Sequence, residues 1–102
     1  MSVIVVATIL PLPEHRAAVI DALKETIEQV HAEDGCELYG LNEAPDRLIM
    51  IEKWASQQAL DAHSAGPNLA VLGPKLAGKV AAAPDVIVLQ PVPAGDPAKG
   101  AV

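Results

Sequence analysis

The chain has 102 residues, with 13 acidic and 7 basic side chains and a formal net charge of −6. Half of it (51%) is apolar, which sets it apart from disordered polymers, yet it has one Trp, one Tyr and no Phe. Sparse Lys and Arg with so few aromatics argue against a nucleic-acid partner, which would need clustered cations or stacking platforms. The length suits one domain that buries roughly two-thirds of its unfolded surface.

Cys36 stands alone, so the sequence offers neither an intrachain disulfide nor a thiolate zinc site. Its first residues lack a basic region, and the apolar run from Val3 to Leu12 is interrupted by Thr8 and Pro11. No stretch approaches the roughly 20 apolar residues that cross a bilayer. The expectation is a soluble, cytoplasmic protein with no membrane partner.

In chain order, Val3 to Leu10 is a β-branched run closed by Pro11 and Pro13, and reads as a central strand. From Pro13 to Asp34 the period changes. Ile20, Leu23, Ile27 and Val30 form one stripe of an amphipathic helix, with Gly35 as a left-handed stop. Glu33 and Asp34 oppose the dipole at that end, so the helix is expected to fray there. Cys36 to Glu43 and Arg47 to Trp54 read as strands around a hairpin turn at Ala44-Pro45-Asp46. On the second, Leu48, Met50, Glu52 and Trp54 share one face, and Arg47, Ile49, Ile51 and Lys53 the other.

Ser56 is an N-cap for a short helix to about Ala65, broken by Gly66-Pro67. Leu69, Leu72 and Leu76 give a further stripe, which Gly73-Pro74 should kink or restart. Asp85 to Gln90 is a last strand. The order is that of an α+β, ferredoxin-like split βαβ domain over residues 1–91, with a four-stranded antiparallel sheet and a flexible tail over 92–102. The face of the sheet away from the helices is apolar too, which predicts burial against a second copy.

No GxGxxG, GxxxxGK[ST], CxxC or HExxH motif occurs, and no two histidines share helical spacing for a metal. His15 near a helix start and His31 at the edge of the first stripe read as solvated and boundary residues. His63 shares the inward side of its helix with Leu60, just after Trp54. A lone histidine or tryptophan there is either satisfied core or part of a site, and the pattern leaves both open. Tyr39, if buried, needs a partner for its hydroxyl.

Glu52-Lys53-Trp54-Ala55-Ser56 followed by Ala59-Leu60-Asp61-Ala62-His63 resembles the E-x-W-x-S…A-L-x-x-H signature of antibiotic biosynthesis monooxygenase domains. Asp34-Gly35-Cys36 with Tyr39 and Leu41 is similar to their P-G-C-x-x-Y-x-L strand start. Gly66-Pro67 and Leu72 to Gly78 resemble the segment that follows the histidine. The resemblance spans residues 3 to 91 and implies a homodimer in the form of a dimeric α/β barrel. It also implies oxygenation of a small aromatic, phenol or quinol without metal, flavin or other cofactor, molecular oxygen being the co-substrate.

Such chemistry requires the substrate itself to give an electron to oxygen, which a phenol does readily once deprotonated. His63 is the candidate base. Tyr39 and Asn68 are candidate donors to the oxyanion, and Trp54, Met50 and Leu72 candidate apolar walls. The sequence also departs from the family pattern. Ala7-Thr8 replaces the first-strand Asn of haem-degrading relatives, Gln58 a common Glu, and Asn68-Leu69 a common His-Phe pair. Two rival readings stay open: a non-catalytic dimeric barrel that binds a small ligand or acts in a stress response, and an isomerase of a small carbonyl compound.

Overall fold

A computed structural model describes all 102 residues. Strands β1 (Val3–Ile9), β2 (Cys36–Ala44), β3 (Arg47–Trp54) and β4 (Asp85–Leu89) form one antiparallel sheet in the order β2-β3-β1-β4. Helices α1 (Arg16–Val30), α2 (Gln57–Ser64) and α3 (Pro67–Leu76) lie on one side of it. This is the α+β, ferredoxin-like arrangement expected from the element order.

Pairing of Val5 with Glu52 and of Ala7 with Met50 puts one alternating set of side chains under the helices. Val3, Val5, Ala7 and Ile9 of β1, with Leu48, Met50 and Trp54 of β3, form the floor of the core. Leu23, Val30, Leu60, Leu72 and Leu76 descend onto it from the helices. The opposite alternating set carries Val6, Ile49 and Ile51, half-buried, and Ile87 and Leu89, exposed. Ile4 on the same face is buried, but Ile87 and Leu89 are exposed and Val6, Ile49 and Ile51 only half-covered, so an apolar patch remains open.

Three element details differ from the sequence expectation. Pro13–His15 is a 3₁₀ turn, and α1 begins only at Arg16 and ends at Val30. Beyond Val30, Ala32 and Glu33 bond three residues back, which tightens and ends the helix before the acidic pair. The buried stripe of α1 is Val19, Ala22, Leu23, Thr26 and Val30, with Ile20 and Ile27 on its flanks. Small Ala22 and Thr26 at the centre of that face let the helix sit close to the sheet. Finally, α3 runs unbroken through Pro74. The proline lies in the last turn, where its missing N–H removes one bond while Ala77 N still donates to Gly73 O at 3.1 Å.

The turn between α1 and β2 positions the site. Gly35 takes φ +80°, and Ala55 N donates to its carbonyl at 2.8 Å, tying the turn to the start of α2. A Cβ on Gly35 would stand 2.6 Å from the Ala59 Cβ, so only glycine permits this approach. Ser56 caps α2 as expected, its hydroxyl accepting from Ala59 N at 3.1 Å.

Candidate active site

Between the sheet and the helices lies an apolar cavity of about 200 Å³. Val5, Ala7 and Met50 form its floor, Leu69, Leu72 and Leu76 of α3 one wall, and Tyr39, Glu52 and His63 its polar groups. Met50 and Leu72, expected as substrate-binding residues, both line it.

His63 comes from the inward face of α2 and is 4% exposed. Its Nδ1 lies 3.0 and 3.2 Å from the two carboxylate oxygens of Glu33. An ionised carboxylate only accepts, so in the neutral ring Nδ1 carries the proton. Asn68 Nδ2 donates to the same carboxylate at 2.8 Å and fixes its orientation. Nε2 of His63, on the other side of the ring, has no partner within the chain. No polar side-chain atom is both sealed and unpartnered, so Nε2 retains open space beside it. The arrangement is an imidazole held by a carboxylate through Nδ1, with the Nε2 lone pair unpaired within the chain.

Trp54 is fully buried and does not line the cavity. Its ring lies behind the imidazole, 4.4 Å between centroids at 30°, and its Nε1 donates to Glu52 Oε1 at 3.0 Å. Tyr39 meets the imidazole edge-on at 5.4 Å and Trp54 at 6.2 Å. The imidazole plane is thus held between an aromatic face and an aromatic edge. Asn68 also lies outside the cavity lining, its amide being engaged with Glu33 rather than offered to a ligand.

Burial, and then the neighbouring Glu52 and Glu33, push the Tyr39 hydroxyl far above its ordinary range. It therefore stays a donor at neutral pH, and it has no acceptor within the chain. Glu52 is 5% exposed, and burial raises its carboxyl above the usual carboxylate range against the opposing Trp54 hydrogen bond and the nearby His63. Of the other histidines, His31 donates from Nε2 to the Tyr39 carbonyl at 3.0 Å, and His15 lies in the first 3₁₀ turn. Neither lines the cavity.

Two of the residues gathered here had no role in the sequence reading. Glu52 had a visible signal, since strand alternation places it on the face of Met50 and Trp54. Glu33 had only an unfavourable position at a helix C-terminus, and its approach to His63 depends on how Gly35 packs against α2.

The domain is ferredoxin-like, with a carboxylate-held histidine beside an apolar cavity between sheet and helices. The profile of the antibiotic biosynthesis monooxygenase family matches residues 2–71, and the chain belongs to that family. Over 68 residues it is 38% identical to Rv0793 of Mycobacterium tuberculosis, named as a candidate monooxygenase, covering 65% of this chain and 67% of that protein. It is 30% identical over 92 residues to YgiN of Escherichia coli, named as a probable quinol monooxygenase, with 79% and 88% of the two chains covered. The solved structure of Rv0793 superposes with a TM-score of 0.85 over 94% of this chain and all of that one, at 30% identity. A Caulobacter crescentus protein described as a candidate antibiotic biosynthesis monooxygenase gives 0.83 at 25% identity, covering 89% and 90%.

Proposed function

We propose that the protein is a cofactor-independent monooxygenase of a small phenol or quinol, with His63 as the base. The observation that carries this reading is the partnerless Nε2 of His63 beside an apolar cavity, its ring held from behind by Glu33. A 150 Å³ apolar cavity accepts benzene. A space of about 200 Å³ therefore suits one ring with small substituents, or a compact bicycle.

In this mechanism Nε2 takes the phenolic proton, and Glu33 stabilises the resulting imidazolium through Nδ1. The Tyr39 hydroxyl donates to the substrate oxyanion. The electron-rich ring passes one electron to O2, and the radical pair joins as a ring carbon–peroxide bond. The imidazolium returns its proton to the terminal oxygen. Loss of the ring C–H proton then forms the carbonyl as the O–O bond breaks. One oxygen atom stays in the quinone and the other leaves in water, with both hydrogens drawn from the substrate. The substrate is the only reductant, so no metal or flavin is required. Met50, Leu72 and their neighbours keep water from the peroxide.

The reading includes a homodimer paired through the open sheet face, in the manner of a dimeric barrel. Val6, Ile49, Ile51, Ile87 and Leu89 support it, because together they leave a wet apolar surface on a monomer. Oxygen uptake with a panel of naphthols, hydroquinones and simple phenols tests the function. Uptake matched by quinone formation is expected for at least one compound. Equal turnover under argon would replace the oxygenase with an isomerase, and no turnover of any compound would leave only a binding protein.

A further inference from the structure

The substrate supplies both hydrogens of the water, but the second reaches the departing oxygen only after His63 has taken it from the ring carbon. When the O–O bond breaks, the departing oxygen leaves as hydroxide unless an acid meets it, while His63 is occupied with the ring C–H proton. The cavity holds a second group able to serve. Glu52 lies on β3 at the cavity floor, cross-strand from Val5 on one side and Tyr39 on the other. Its Oε1 is taken by the Trp54 indole N–H at 3.0 Å. Its Oε2 has no partner in the chain, and it is not sealed away, since the chain has no enclosed unpartnered polar atom. The Trp54 hydrogen bond accounts for one carboxyl oxygen and leaves the other, costly to bury in an apolar core, without a structural task.

We propose that Glu52, through Oε2, is the proton donor to the departing oxygen of the peroxide; the role rests on the oxygenase reading above. The hydrogen bond from Trp54 orients the carboxyl, leaving Oε2 to carry the proton toward the cavity. His63 takes the C–H proton, the freed electron pair forms the carbonyl, the O–O bond breaks, and Glu52 converts hydroxide to water. The imidazolium then hands its proton to the Glu52 carboxylate, and both groups are reset. The ionisable groups facing Glu52 are Tyr39 from β2, Glu33 from the turn after α1, and His63 from α2, Cys36 lying further along β2. Burial first, and Glu33 more weakly, favour its protonated form, while the Trp54 hydrogen bond and His63 favour the ionised one.

The test uses the full-length protein in two arms. The first follows the infrared carbonyl band of a protonated carboxyl across the pH range of turnover in the wild type and in Glu52→Gln. The second compares the pH profile of kcat for quinone formation in the wild type, Glu52→Gln and Glu52→Ala, the last with added formate. The account expects a band that Glu52→Gln removes, a 10²- to 10⁴-fold fall in kcat (about the range for a lost general acid) with unchanged substrate binding, and loss of the alkaline limb of the profile. It also expects Glu52→Ala to recover in proportion to added formic acid, which a packing role would not produce. Absence of the band, or normal turnover by Glu52→Gln, would overturn the donor role while leaving the oxygenase intact. If the wild type itself takes up no oxygen with any phenol, the oxygenase reading has failed and the donor role falls with it, whatever the band shows.

Discussion

An imidazole enclosed to 4% exposure must satisfy both ring nitrogens or keep one for a ligand. His63 spends Nδ1 on Glu33 and keeps Nε2 unpartnered beside open space, as the proposed base requires. His63→Ala should therefore lower kcat for quinone formation by about 10²- to 10⁴-fold while the protein stays folded. Turnover and melting temperature measured on the same preparation check this; a large loss of stability with normal turnover per folded molecule would mark His63 as core. Glu52 makes a separate prediction about stability. Its carboxyl titrates above the ordinary 4.5 because burial disfavours the charge. The folded state then binds the proton more tightly than the unfolded chain. This contribution is whole below 4.5 and is lost as pH rises through the raised value. Glu52→Gln removes the titration, so its melting temperature relative to the wild type should climb with pH across that window. Parallel melting curves between about pH 4 and 8 would contradict it.

At the scale of elements, the sequence was legible where one local rule decided the outcome. The β-branched run of β1, the Ser56 cap and the alternation of β3 all appear in the structure as read. The stripe of α1 was misplaced by one residue because apolarity pointed to Ile20 and Ile27, whereas close packing on the sheet selects the small Ala22 and Thr26. The Pro74 break failed because a proline in a final turn removes only one bond. Trp54 and Asn68 were visible as residues near the site. That they stand behind it, one against the imidazole and one on Glu33, depends on tertiary directions that spacing does not encode. The same dependence hid Glu33, whose reach is set by Gly35. Gly35→Ala should cost about 1–3 kcal/mol from its φ of +80° and the Ala59 contact, and should weaken turnover by moving Glu33. Gly73→Ala, in a helix with nothing within 4 Å, should instead stabilise by about 0.5–1 kcal/mol. Chemical denaturation of both variants checks the contrast; equal effects would refute it.

The whole molecule divides its sheet between two tasks. One face carries the cavity, and the other is an apolar surface that its own chain covers only in part. No helix is long and apolar enough to cross a membrane, so a lipid-spanning role for the helices does not explain that surface. A second copy does. Ile51→Lys should convert a dimer of two 10.6 kDa chains into monomers, as read by sedimentation at micromolar concentration; a monomeric wild type would contradict the pairing. The overall class was readable from element order alone, and the family from short motifs around Trp54 and His63. The chemistry rests on the cavity, and one measurement reaches it most directly. Turnover of a naphthol under ¹⁸O2, by protein stripped of metal with a chelator and free of flavin, should place one labelled atom in the quinone and the other in water, and His63→Ala should abolish both. Quinone lacking the label, or formed at the same rate under argon, would contradict the account.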